Sequence, residues 1–139
     1  MNRREHAPAL LALLGLLAAC AGPVRVPLAG QGDHGAVRGL VTVEPIEGAE
    51  RLVTVSTREL PPPARLDPGL RTYVVWFTAG DGEPPVRVGE LIYEADAREG
   101  RLHAATPLER FQLEITAERS GDAATPSNHV IVTQWVDEG

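Results

Sequence analysis

The chain has 139 residues, 43% of them hydrophobic, with 19 acidic side chains against 13 basic ones and a formal net charge of −6 at pH 7. That length is enough for one domain with a real core. The acidic balance speaks against a nucleic-acid partner, which needs a basic patch, and against a polybasic membrane-surface domain.

The first element is a leader. Asn2-Arg3-Arg4 is a short positive start, and Ala9 to Ala19 is an eleven-residue run of Ala, Leu and Gly. The run fits a signal-peptide core and is too short to span a hydrocarbon layer, which takes about 20 residues. Leu17-Ala18-Ala19-Cys20 follows, and Cys20 is the only cysteine. The stretch resembles the lipobox of bacterial lipoproteins. That resemblance implies cleavage after residue 19, a thioether from the Cys20 sulfur to diacylglycerol, and Cys20 as a lipidated N-terminus. One acyl chain gives only reversible membrane binding, whereas two or three hold firmly. Ala21 stands where an inner-membrane retention signal would have Asp, so the resemblance implies the outer membrane, facing the periplasm. Cleavage would remove Arg3, Arg4 and Glu5, one net positive charge, and take the formal charge from −6 to −7. With Cys20 used as the anchor, no cysteine remains for a disulfide, and the domain must fold on packing alone.

Residues 20–36 are expected to be the lipidated Cys and a flexible tether, because Ala21 to Ala36 is rich in Gly and Pro. Such a tether would span about 20–24 Å. It contains Gly30-Gln31-Gly32-Asp33-His34-Gly35, which fits the dinucleotide pattern G-x-G-x-x-G. The pattern works only between a strand and a helix N-terminus, and neither is expected here.

From residue 37 to 139 the reading is all-β. Val37, Gly39, Val41 and Val43 alternate with Arg38, Leu40, Thr42 and Glu44 as far as Pro45, and Arg51 to Arg58 is a second run with Val53, Val55 and Thr57 on one face. Pro61-Pro62-Pro63 donates no ladder hydrogen bonds and reads as a crossover pinned by Leu60 and Leu66. Arg71 to Thr78 is apolar on both faces, with Tyr73, Val75 and Phe77 opposite Val74 and Trp76, as a central strand requires. Ala79 to Glu83 is a loop, and Val86 to Tyr93 returns as one strand. Ala95 to Gly100 is a hairpin loop, and Arg101 to Thr106 a short strand with Leu102 and Ala104 inward. Phe111, Leu113, Ile115 and Ala117 then alternate with polar residues. Ser120 to Asn128 is a polar loop, and Val130 to Val136 the last strand. Seven or eight short strands with frequent turns predict an antiparallel, immunoglobulin-like β-sandwich.

Leu60-Pro61-Pro62-Pro63, Leu66, Pro68-Gly69, Tyr73-Val74-Val75-Trp76, the Gly89-Glu90-Leu91 strand, Thr106-Pro107, Phe111 and Thr116-Ala117-Glu118 together resemble the extracytoplasmic domain of anti-sigma-K factors. The likeness covers about residues 51–135. It implies the sandwich and an envelope location. The sequence shows neither the helical sigma-binding domain nor the transmembrane helix of those proteins, so the likeness does not carry sigma-factor control.

Chemistry-bearing constellations are scarce. The histidines at 6, 34, 103 and 129 lack ligand spacing, and Asp81 and Glu83 lack the regular carboxylate series of a calcium loop, so no metal is expected. No cofactor motif is present. Ser56, Ser120 and Ser127 lack a nucleophile elbow, and Ser127 with His129 reads as part of a polar loop. The expectation is a non-enzymatic, lipid-anchored module that meets an envelope protein or serves a structural role. Its contacts would use an exposed strand edge or the loops 79–85, 95–100 and 119–129. The alternative is a small-ligand or solute-binding module with Tyr73, Trp76, Tyr93 or Trp135 forming an aromatic face.

Overall fold

The computed structural model describes residues 22–138. The expected leader 1–19 and the expected lipidation site Cys20 lie outside the described residues. Nine strands are present among those described: β1 (Val24–Ala29), β2 (Arg38–Pro45), β3 (Arg51–Arg58), β4 (Thr72–Thr78), β5 (Val86–Glu90), β6 (Ile92–Glu94), β7 (Glu99–Thr106), β8 (Arg110–Glu118) and β9 (Val130–Asp137). Two short 3-10 turns, Gly32–His34 and Pro63–Arg65, are the only helical pieces among the described residues. The strands form a five-stranded sheet in the order β1-β2-β3-β7-β6 and a four-stranded sheet in the order β5-β4-β8-β9. All pairings are antiparallel. The all-β, two-sheet expectation from the sequence holds.

The core lies between the sheets and follows from strict alternation. Val41 and Val43 of β2, Val53 and Val55 of β3, Tyr73, Val75 and Phe77 of β4, and Phe111, Leu113, Ile115 and Ala117 of β8 all point into it and are buried. Each fully buried aliphatic side chain contributes about 1.5–3 kcal/mol relative to exposure. Phe77 and Phe111 meet across the β4–β8 pair with ring centroids 4.2 Å apart.

The expected tether needs correction. Residues 24–29 form β1, an edge strand in register with β2 from Val24 opposite Val43 to Ala29 opposite Arg38. Val24, Val26 and Leu28 alternate inward, with Leu28 only 2% exposed. Pro27 is tolerated because an edge strand has one side without ladder partners. Among residues 30–36, the glycines serve a tight turn: the Gly30 N–H donates to the Val37 carbonyl, and a Cβ at Gly30 would sit 1.8 Å from the His34 carbonyl oxygen. Gly32 takes a positive φ of 57°. The G-x-G-x-x-G spacing thus reflects a β1–β2 connection.

A second difference concerns residues 86–93, expected as one strand. The chain changes sheets at Leu91, whose N–H still donates to the Tyr73 carbonyl while Ile92 already pairs with Arg101. Leu91 is buried at this corner, and β5 and β6 become edges of opposite sheets. A register shift between Val75 and Trp76 bulges β5 beside it, a device that discourages edge pairing.

The proline stretch is the expected crossover. Leu60 is fully buried, and two tyrosine hydroxyls tie the strap down: Tyr73 donates to the Pro61 carbonyl at 2.5 Å and Tyr93 to the Leu60 carbonyl at 2.6 Å. The rings meet edge-on at 5.6 Å. At the opposite end of the sandwich, Arg51 pairs with Glu138 and Glu109, fastening the tail to the start of β3.

Candidate functional site

Each sheet turns one face away from the core, and the two faces differ. On the four-stranded sheet the outward residues of β4 are Val74 and Trp76, both fully buried although neither belongs to the inter-sheet core. The β8–β9 loop, residues 119–129, folds back over them. Arg87, opposite Trp76 in the register, donates to the Gly121 carbonyl, and the Glu90 side chain lies against Gly121. Beneath the loop runs a polar chain. The Trp76 indole N–H donates to Thr116 Oγ1 at 2.9 Å, Thr116 donates to the Glu118 carboxylate, and the same carboxylate oxygen accepts the Ser127 N–H at 2.8 Å. Glu118 is 5% exposed. A buried carboxylate needs such donors, and among the described residues no buried side-chain polar atom lacks a partner. Glu114, four residues before Glu118 on the same face, has its carboxyl pushed above the usual range by burial and by the Glu118 charge.

The Ser127–His129 pair sits at the end of that loop, beside an open cavity of about 340 Å³. Its geometry is that of a turn. The Ser127 hydroxyl donates to the Ala117 carbonyl at 2.7 Å and accepts the His129 backbone N–H at 3.1 Å. The serine proton is thus held by a main-chain oxygen and has no bond to the imidazole.

The outer face of the five-stranded sheet has no such cover. Pairing places Leu40, Ser56, Arg101 and Ile92 in one row across β2, β3, β7 and β6. Ile92 is 70% exposed and Leu40 37% exposed. Arg58, Glu94 and Glu99 stand beside the row, and together these side chains line a trough of about 650 Å³. That volume lies within the range of about 300–1,000 Å³ found for ligand sites. Arg25, Arg38, Arg58 and Arg101 all lie exposed on this face of an acidic chain. Arg38 is turned back onto the Gly35 and Val37 carbonyls. Arg58 and Arg101 form no ion pair among the described residues, whose salt bridges involve Arg51 and Arg110.

The four aromatic residues considered for a binding face do not share a single one: Tyr73 and Tyr93 meet on the core side, whereas Trp76 and Trp135 lie on the outward side of the four-stranded sheet. Tyr73 points into the core, Trp76 lies on the other side of β4 under the loop, Tyr93 holds the strap, and Trp135 carries the Arg110 guanidinium 4.5 Å above its ring. Asp81 and Glu83 flank Gly82, which has a φ of 81°, in an exposed turn. Among the described residues no group of three or more His, Cys, Asp or Glu side chains is placed to hold a metal ion. Of the loops expected to carry contacts, 119–129 is tied to its own sheet through Gly121 and Ser127. The trough went unnoticed in the sequence because its row draws one residue from each of four strands. Comparisons of the chain with protein-family models, curated proteins and solved structures find no match.

Proposed function

We propose that this chain is a lipid-anchored protein of the bacterial cell envelope, held through acyl chains on Cys20 at the outer membrane and facing the periplasm. In this reading it performs no catalysis and presents a β-sandwich to a protein partner. The anchor rests on the sequence around Cys20. The interaction role rests on one observation: the outer face of the five-stranded sheet leaves Ile92 and Leu40 exposed beside arginines that form no ion pair among the described residues. Water-exposed aliphatic side chains grouped with polar ones are what docking surfaces present.

The sandwich is immunoglobulin-like in the same reading. What supports this is strand order: with β1 set aside, β2-β3-β7-β6 follows the A-B-E-D arrangement, β4-β8-β9 follows C-F-G, and β5 takes the added C′ place. The departure is Trp76, which faces away from the inter-sheet core. The likeness to the extracytoplasmic domain of anti-sigma-K factors adds a location in the envelope and no partner.

The test is growth with an alkyne-tagged fatty acid, followed by in-cell crosslinking of the native chain and Cys20→Ser. Label on the native chain alone, with one defined protein captured only by the anchored form, is the expected result. Label on neither form, or recovery of both forms without a partner, would sink the proposal.

A further inference from the structure

We infer that the trough on the five-stranded sheet takes an extended peptide segment with an acidic residue flanked at two-residue spacing by aliphatic ones. The inference deepens the interaction reading above and rests on it. It starts from the row Leu40–Ser56–Arg101–Ile92, which crosses three gaps between neighbouring strands. At about 4.8 Å per gap, the two aliphatic ends stand roughly 14 Å apart. In an extended peptide, side chains on one face repeat every second residue at about 3.4 Å per residue, so the first and fifth residues also stand about 14 Å apart. A segment laid across the strands therefore sets its first and fifth side chains over Leu40 and Ile92. Its third side chain falls between Ser56 and Arg101.

The chemistry at that midpoint selects the third residue. Arg101 is exposed and forms no ion pair among the described residues, and the Ser56 hydroxyl has only a 3.4 Å contact to the Leu40 carbonyl. Both are donors, and a carboxylate accepts from both, with the charge-assisted bond to arginine the stronger. Glu94 stands two residues from Ile92 on β6 and repels an acid at that end, while Glu99, its partner across the pair, stands two residues from Arg101 on β7. The chain as a whole is acidic, so recognition depends on this local placement.

The experiment is fluorescence anisotropy with the full chain in detergent micelles and a labelled acetyl-Leu-Gly-Glu-Gly-Leu-amide peptide. Matched peptides carry Gln or Lys at the centre, or Glu at the fifth position. The expected result is saturable binding of the central-Glu peptide, weakened about tenfold by the Gln peptide, by the fifth-position Glu peptide and by Arg101→Gln, as loss of a charge-assisted bond implies. Ile92→Ala, a change at an exposed site, is expected to weaken binding while leaving the melting temperature in place. Equal binding of Glu, Gln and Lys peptides, or no binding of any, overturns the inference. So does an Arg101-dependent association with phosphatidylglycerol vesicles, or self-association of the chain, in place of peptide binding. In-cell capture of a partner remains a separate readout, so a failed peptide leaves the interaction reading to stand or fall by its own test.

Discussion

The side chains that point away from the core meet opposite fates on the two sheets. On the four-stranded sheet the apolar ones of the central strand β4 are covered by the chain itself: the 119–129 loop closes over Val74 and Trp76 and is held by Glu118 and Arg87. On the five-stranded sheet the corresponding positions, Leu40 and Ile92, are left open. Covering a face costs the entropy of ordering a loop and gains burial of apolar surface. Where the chain makes that exchange, the face serves stability. Where it does not, the aliphatic groups remain free to meet something else.

The contrast predicts a graded set of effects. Trp76→Ala should be the most damaging change, since it empties a buried site and strips Thr116 of its donor. A loss of about 3–5 kcal/mol in urea unfolding is expected. Glu118→Ala should cost less, about 1–3 kcal/mol, by leaving the Thr116 hydroxyl and Ser127 N–H without an acceptor. Hydrogen exchange should then quicken across 119–129 before it does in β4 or β8. Tyr73→Phe removes only the hydroxyl that holds the Pro61 carbonyl, and about 1 kcal/mol should be lost in the same assay. Burial raises the Glu114 carboxyl above its unfolded range. Its charged form is therefore disfavoured in the folded state, so its stability contribution is complete at low pH and declines as pH rises through the raised value. Glu114→Gln should thus raise the melting temperature slightly at pH 7, with the gain gone below the ordinary glutamate range. Smallest of all should be Ile92→Ser on the open face, within about 0.5 kcal/mol of the native protein. A large loss there would mean that Ile92 is structural and that the contrast between faces is wrong.

Much of the sandwich was legible because burial on one face imposes a period of two. Arg51–Arg58 was read with the bounds that β3 has, and the inward set of β8 from Phe111 to Ala117 was read correctly. β1 was missed because Pro27 and the glycines around it look like a linker, while Val24, Val26 and Leu28 carry a weak alternation that gains meaning only once β2 is beside it. The switch of sheets at Leu91 was hidden because both flanking strands are short and apolar in turn. The trough was illegible for a deeper reason. Leu40 and Ile92 are distant in sequence and meet in one row only through three successive pairings, which no local spacing encodes. The network under the 119–129 loop was equally hidden, because alternation marks Thr116 and Glu118 as solvent-facing and cannot register a loop that returns to cover them.

The most direct test is hydroxyl-radical footprinting of the protein in intact envelopes and after purification in detergent. The account predicts that Ile92 and Leu40 react readily in the purified protein and become protected in the envelope. Trp76 should stay unreactive in both. Equal labelling of Ile92 and Leu40 in the two preparations would contradict the claim that the open face of the five-stranded sheet is the surface this protein presents.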